Sequence, residues 1–182
     1  MDNKKLLISI LENGTNLKGE KAVPHKFAIK AGGKDITIYV IREEVYLRVF
    51  RDTLASPCCY HDLDMIFIPF LWWKGLPRQM IRVIIYHEVG HLVSAQYQDG
   101  QRTLDKEHEA DMYAVRKMQD PDLVIETLKY THSFAKKMLI MLLDNDASSR
   151  QDIEDQFKYR INNEMHDRIS MIKAAVAPQL TA

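Results

Sequence analysis

His87, Glu88 and His91 stand together in the run His87-Glu88-Val89-Gly90-His91, two imidazoles four residues apart with a carboxylate beside the first. On an α-helix, positions i and i+4 share a face with Cβ atoms roughly 5 to 6 Å apart, so both rings can direct a nitrogen at one ion. Glu88 sits about 100° further round and can reach past the ligands to take a proton from water on the ion's open side. This is the HExxH arrangement by which a helix holds zinc and activates water. Such a pattern can arise by chance, so its setting matters. Pro77 suits a first helical turn, and Met80, Ile81, Ile84, Ile85 and Leu92 give the helix an apolar face. Two core histidines satisfied by neighbours are the plain alternative, but burying such groups without partners is costly.

A catalytic zinc takes three protein ligands, and the stretch Lys106-Glu107-His108-Glu109-Ala110-Asp111-Met112-Tyr113-Ala114 offers the third. Glu107 and Asp111 are i and i+4 on a second predicted helix. One can bind the metal while the other accepts the free N–H of a ligating histidine, and Glu107 is the choice for the ligand. Glu109 lies about 200° from Glu107 and faces elsewhere.

With HEVGH followed by EHEAD and then MYA, the chain resembles the gluzincin peptidases, among them the prenyl-protein endopeptidase and HtpX heat-shock protease group, which pair HExxH with a downstream ExxAD segment. The resemblance implies zinc bound by His87, His91 and Glu107, with Glu88 as catalytic base and Asp111 as the partner of a ligating histidine. It also implies that Ala110 and Ala114 let the second helix pack closely. It extends more weakly from Cys58 to Ile172. A late family segment with a histidine followed by an arginine is matched only in part by Asn163-Glu164-Met165-His166-Asp167-Arg168-Ile169, where Arg168 stands in a suitable place and the His-Pro pair is missing. The IrrE/ImmA group of compact gluzincins, which uses a similar ExEA segment, is the second resemblance.

The elements that must position these residues read as strands first and helices later. Phe27 to Lys30 and Ile36 to Ile41, separated by Ala31 to Asp35, are expected as antiparallel strands, and Asp64 to Phe70 as a further strand ended or edged by Pro69. Val45 to Phe50 fits a strand or a short helix, and residues 4 to 12 a short helix. Helices are expected over Pro77 to Gln96, Leu104 to Met118 and from a cap at Asp120-Pro121 to about Leu143. The last of these would turn Leu123, Leu128, Met138, Leu139 and Leu142 to the core. After a polar connector, Asp144 to Arg150, the pair Ser149 and Asp152 would cap a final helix reaching about Val176. This is an α+β pattern, a zincin-like domain whose small N-terminal sheet packs on a mainly helical C-terminal part. One domain is expected over 1–182, with the resemblance weak in 1–57 and the catalytic core in 58–172. By the same resemblance, Asp64 to Phe70 or the segment before it would be an edge strand holding the substrate backbone.

Composition fits one folded core, with 182 residues of which 46% are hydrophobic. The 25 basic and 25 acidic residues balance, which gives no long-range field to gather nucleic acid or an anionic membrane. The longest apolar run, Met65 to Trp73, is too short to span a bilayer, and Trp72-Trp73 is expected as packing rather than a substrate rim. Adjacent Cys58 and Cys59 form no disulfide framework or zinc-ribbon spacing and read as small buried residues. The N-terminus carries no convincing secretion signal, so a cytoplasmic setting is the expectation.

The expected activity is zinc-dependent endopeptidase cleavage of a protein or peptide, with Glu88 moving the proton. His108, Tyr97, Tyr113, His132, His166 and Arg168 are candidate donors to the transition-state oxyanion, and spacing selects none of them. His25, His61, His132 and His166 otherwise read as surface or packing residues. The alternatives are an ImmA/IrrE-like protease acting on a repressor, and a non-catalytic binding protein stabilised by zinc.

Overall fold

A computed structural model describes residues 23–43, 45, 56–94, 103–142, 155 and 162–177. The chain is α+β, a four-stranded sheet followed by helices, and divides into two units, Met1–Pro77 and Arg78–Ala182. Among the described residues no helix is long and apolar enough to cross a membrane.

In the first unit, β1 (His25–Ala31) and β2 (Lys34–Ile41) form an antiparallel hairpin. Its loop is only Gly32-Gly33, shorter than the expected break from Ala31 to Asp35. Both glycines take positive φ, 57° and 77°, which a type I′ turn requires and which matches the twist of paired strands. Ala31, Lys34 and Asp35 therefore join the ladder. β3 (Cys58–Tyr60) and β4 (Met65–Pro69) complete the sheet in the order β1-β2-β4-β3, with β4 parallel to β2 and antiparallel to β3.

β4 is thus an inner strand, and of the two segments expected as the edge it is the one before it, β3, that lies outermost on that side. The reason is visible in the residues of β4: Ile66, Phe67 and Ile68 are all buried, as are Ile38 to Ile41 of β2, the near-continuous apolar run of strands covered on both faces. Pro69 ends β4, where its missing N–H costs no ladder bond. Asp64 falls outside the strand. It takes a left-handed conformation, φ 47°, that closes a 3-10 turn over His61–Leu63.

α1 (Phe70–Gly75) follows at once, with the Leu71 N–H donating to the Glu43 carboxylate. Trp72 is buried, as the packing expectation requires, while Trp73 is half-buried with its ring 5.6 Å from those of His25 and Phe27. Cys58 and Cys59 are half-buried rather than buried, and Cys58 packs against Tyr39, Ile41, Val45 and Phe67. Glu43 and Val45 are helical, Val45 being the one described residue of the segment expected as strand or short helix. Residues 46–50 and the expected helix at 4–12 lie outside the described residues.

The second unit is helical: α2 (Arg78–Val93), α3 (Leu104–Met118), α4 (Pro121–Leu142) and α5 (Asn162–Val176). α3 has the expected bounds. Thr103 Oγ1 accepts the Lys106 N–H at 3.3 Å at its start, and Gln119, φ 55°, closes its end. Asp120 caps α4, its Oδ1 accepting the Leu123 N–H at 2.9 Å. Val83, Ala114, Val115, Val124, Ile125, Ile169 and Ile172 form one hydrophobic cluster in the core of this unit. Leu123 and Leu128, expected in the core, are only half-buried against it. The expected Ser149–Asp152 cap and the side chains of Met138, Leu139 and Leu142 lie outside the described residues.

α2 and α3 meet at Gly90. A Cβ there would stand 2.8 Å from the Ala110 Cα and 3.0 Å from the Tyr113 Cβ, so only glycine permits this approach. Ala110 and Ala114, both fully buried, supply the small face opposite. In an uncrowded helix Gly→Ala would stabilise by about 1 kcal/mol. Gly90→Ala is expected to destabilise instead, by about 1–3 kcal/mol through overpacking. Chemical denaturation of the metal-free protein reads the sign, and a stabilised variant would show that the helices do not meet this closely.

Candidate metal centre

The close approach of α2 and α3 brings three donor side chains to one point. His87 Nε2 and His91 Nε2 are 3.0 Å apart, His87 Nε2 lies 3.4 Å from Glu107 Oε2, and His91 Nε2 lies 3.6 Å from Glu107 Oε1. The two rings are nearly perpendicular, at 81°. All three residues offer donor atoms within 4.8 Å of one another, a spacing that could hold a metal ion. Zinc bonds of about 2.0–2.1 Å at tetrahedral angles would set donors about 3.3 Å apart, so the observed separations bracket what a bound ion requires.

Asp111, one turn after Glu107, stands where the helical phase put it. Its Oδ1 accepts from His87 Nδ1 at 2.8 Å. With Nδ1 carrying that hydrogen, the lone pair of Nε2 can face an ion, so Asp111 selects both tautomer and ring orientation. Glu109 points elsewhere, as expected, and accepts the Ser94 hydroxyl at 2.7 Å. Glu88 is buried on α2, 7% exposed, next to the first of the two histidines.

Arg168 comes from α5. Its Nε donates to Asp111 Oδ2 at 2.8 Å and its Nη2 to Asp111 Oδ1 at 2.7 Å, while Nη1 lies 3.1 Å from Glu107 Oε2 and 3.8 Å from Glu164 Oε1. The guanidinium proposed from sequence as an oxyanion donor therefore faces carboxylates through all three nitrogens. Of the other candidates, His108 and Tyr113 line a groove with Gly90, Ser94, Glu109 and Arg116, His132 is half-buried on α4, His166 is exposed on α5, and Tyr97 lies outside the described residues.

Sequence reasoning missed Gly90. Its signal was present, for the third residue after His87 points about 60° to one side of it, toward the helix that must supply Glu107. The Arg168 partnership had no local signal, because 57 residues separate Arg168 from Asp111.

The electrostatics follow from burying these charges together. Burial would lower the pKa of His87, but its hydrogen bond to Asp111 and the negative charge there, with a further hydrogen bond to Glu107, raise it to about 9. Burial and the neighbouring His87 charge lower His91 to about 2. Burial would raise both carboxyl groups. The His87 and Arg168 cations reverse this, holding Glu107 well below the carboxylate range and Asp111 at about 2. Arg168 is likewise desolvated, yet Asp111, Glu107 and Glu164 raise its pKa above the ordinary arginine value. Glu107, Asp111 and Arg168 leave one negative charge, which the His87 proton neutralises.

Comparison of the chain with models of protein families, with curated proteins and with solved structures finds no match in any of the three.

A cation entering between these donors must displace the His87 proton, since His91, Glu107 and Asp111 already lack theirs near neutral pH. Affinity for a divalent ion should therefore rise about tenfold per pH unit from about pH 6 and level off near pH 9, one proton being released per ion. Chelator competition across that range measures the slope. A flat profile would mean that His87 is neutral in the metal-free protein.

Proposed function

We propose that the chain is a zinc-dependent endopeptidase of the gluzincin type built on a zincin-like α+β fold. The observation that carries the reading is the convergence of His87, His91 and Glu107 from two helices at donor separations of 3.0–3.6 Å, with Glu88 beside the first ligand. The residues fit the ion: two imidazoles and a carboxylate are the donor set of a catalytic zinc, and three protein donors leave a fourth position open, whereas a structural site is closed by four. Asp111 behind His87 adds the outer partner that such a ligand needs.

Zinc held there supplies a Lewis acid that makes water a nucleophile near neutral pH and polarises a peptide carbonyl. His87 and His91 contribute neutral imidazole lone pairs, His87 once its Nε2 proton has gone, and Glu107 contributes charge. The Glu88 carboxylate accepts the proton of the attacking water and passes it to the nitrogen of the leaving amine. Without that transfer the amine is a poor leaving group, so Glu88 acts in both halves of the reaction.

Glu88→Gln keeps the shape of the side chain and removes the base. It is expected to retain about one zinc per chain while peptide hydrolysis falls about 100- to 10,000-fold, and His87→Ala is expected to lose zinc. The assay uses an unfolded protein as substrate, with a chelator-treated control and metal content measured on the same samples. Full activity in Glu88→Gln would remove the assigned base. Zinc binding with no hydrolysis by the wild-type chain of any unfolded substrate would favour the non-catalytic reading.

A further inference from the structure

Resting on the metal reading above, we propose that Arg168 is a positioning residue of the metal centre, a guanidinium clamp from the last helix that fixes Asp111 and Glu107 and, through Asp111, the ring of His87.

The geometry separates this role from two others. An oxyanion donor must present free N–H groups to the reacting carbonyl. Here Nε and Nη2 form a two-pronged pair with both oxygens of Asp111, and Nη1 lies between Glu107 Oε2 and Glu164 Oε1. The Arg168 side chain is 11% exposed, so little of it meets water. A simple tie between α5 and α3 would need only one of these contacts. Instead the cation reaches both the ligand carboxylate and the carboxylate that orients a ligand imidazole.

The physical need is plain from α3. Glu107 and Asp111, i and i+4 on one buried face, repel each other where water cannot screen them. Without a cation between them, the cheapest response is rotation of one carboxylate away or uptake of a proton, and either change spoils the donor set. The fork of arginine holds the plane of Asp111 because it grips two oxygens in parallel. Asp111 Oδ1 is shared: Arg168 Nη2 donates to it at 2.7 Å and His87 Nδ1 at 2.8 Å. Fixing that oxygen fixes the direction of Nε2 on the far side of the imidazole. Lysine could supply the charge but not the fork.

The test measures zinc affinity by chelator competition, with chemical denaturation of the metal-free protein alongside, for wild type, Arg168→Gln, Arg168→Lys, Asp111→Asn and the double variant Arg168→Gln/Asp111→Asn. Arg168→Lys is expected to keep most of the stability of the fold, yet bind zinc about 10- to 100-fold more weakly. The visible spectrum of its cobalt(II) form should change as the ligand geometry loosens. In the Asp111→Asn background, Arg168→Gln should cost clearly less affinity than it does alone, because the two act in one chain of contacts.

Wild-type affinity and an unchanged cobalt spectrum in folded Arg168→Lys would overturn the proposal, as would losses in the double variant that multiply in full. If Arg168→Gln does not fold, Arg168→Lys decides. Affinity that falls only in step with stability across the set would show a structural tie and nothing more. None of these measurements uses hydrolysis. A wild-type chain that binds zinc but cleaves nothing leaves the clamp standing, whereas a wild-type chain that binds no zinc sinks the metal reading and the clamp with it.

Discussion

The two helices that carry the donor side chains approach almost backbone to backbone at Gly90, where a single methyl group would stand 2.8 Å from the Ala110 Cα. His87 and His91 lie one turn apart on α2, Glu107 and Asp111 one turn apart on α3, and Gly90 with Ala110 forms the seam between the two pairs. At that approach the two pairs stand at donor separations of 3.0–3.6 Å, so the geometry of the cluster belongs to the backbone as well as to the side chains.

Bringing the helices together concentrates charge, and the cost of burying it organises the rest. Glu107 and Asp111 cannot both remain ionised inside the protein without cations close by. Arg168 supplies one fixed positive charge and the His87 proton the other. The pairing differs in kind. Arginine cannot give up its proton near neutral pH, so its charge stays with the fold, whereas an imidazole can exchange its proton for a stronger cation. A permanent countercharge on one side of the carboxylates and an exchangeable one on the other describes a cluster balanced by its own protons and able to trade one of them for a cation.

How much of this could be read from the residues alone depended on how local the interaction was. His87, Glu88 and His91 are neighbours on one helix, and the 3.6-residue turn converts their spacing into directions before any fold is known. The same holds for Glu107, Asp111 and the outward Glu109, and for Asp120 as a cap. Strand positions were legible from apolar runs, but the sheet order was not. That β4 lies inside the sheet depends on pairing with β2 across a long crossover, although its unbroken run Ile66-Phe67-Ile68 carried the mark of two-faced burial. The hairpin loop was overestimated because Gly32 and Gly33, both at positive φ, close it in two positions. Arg168 came to notice only through the resemblance, and its partners could not be read from the residues, since the carboxylates it faces, Asp111 and Glu107, lie more than fifty residues before it.

The exchangeable proton also couples the site to the stability of its own unit, with a definite sign. His87 is raised to about 9, so in the metal-free protein it contributes stability that is complete below its ordinary pKa and is lost as pH rises through about 9. Asp111 is lowered to about 2, so it contributes stability present above its ordinary pKa and lost as pH falls toward about 2. Between those limits, near neutral pH, the cluster favours the fold without any ion. A bound cation replaces the His87 contribution with its own, and because a metal that occupies the folded state alone stabilises by mass action, the alkaline loss would then disappear. The contacts that raise the His87 pKa are thus the same ones that let the buried carboxylates of α3 stay ionised in the folded chain.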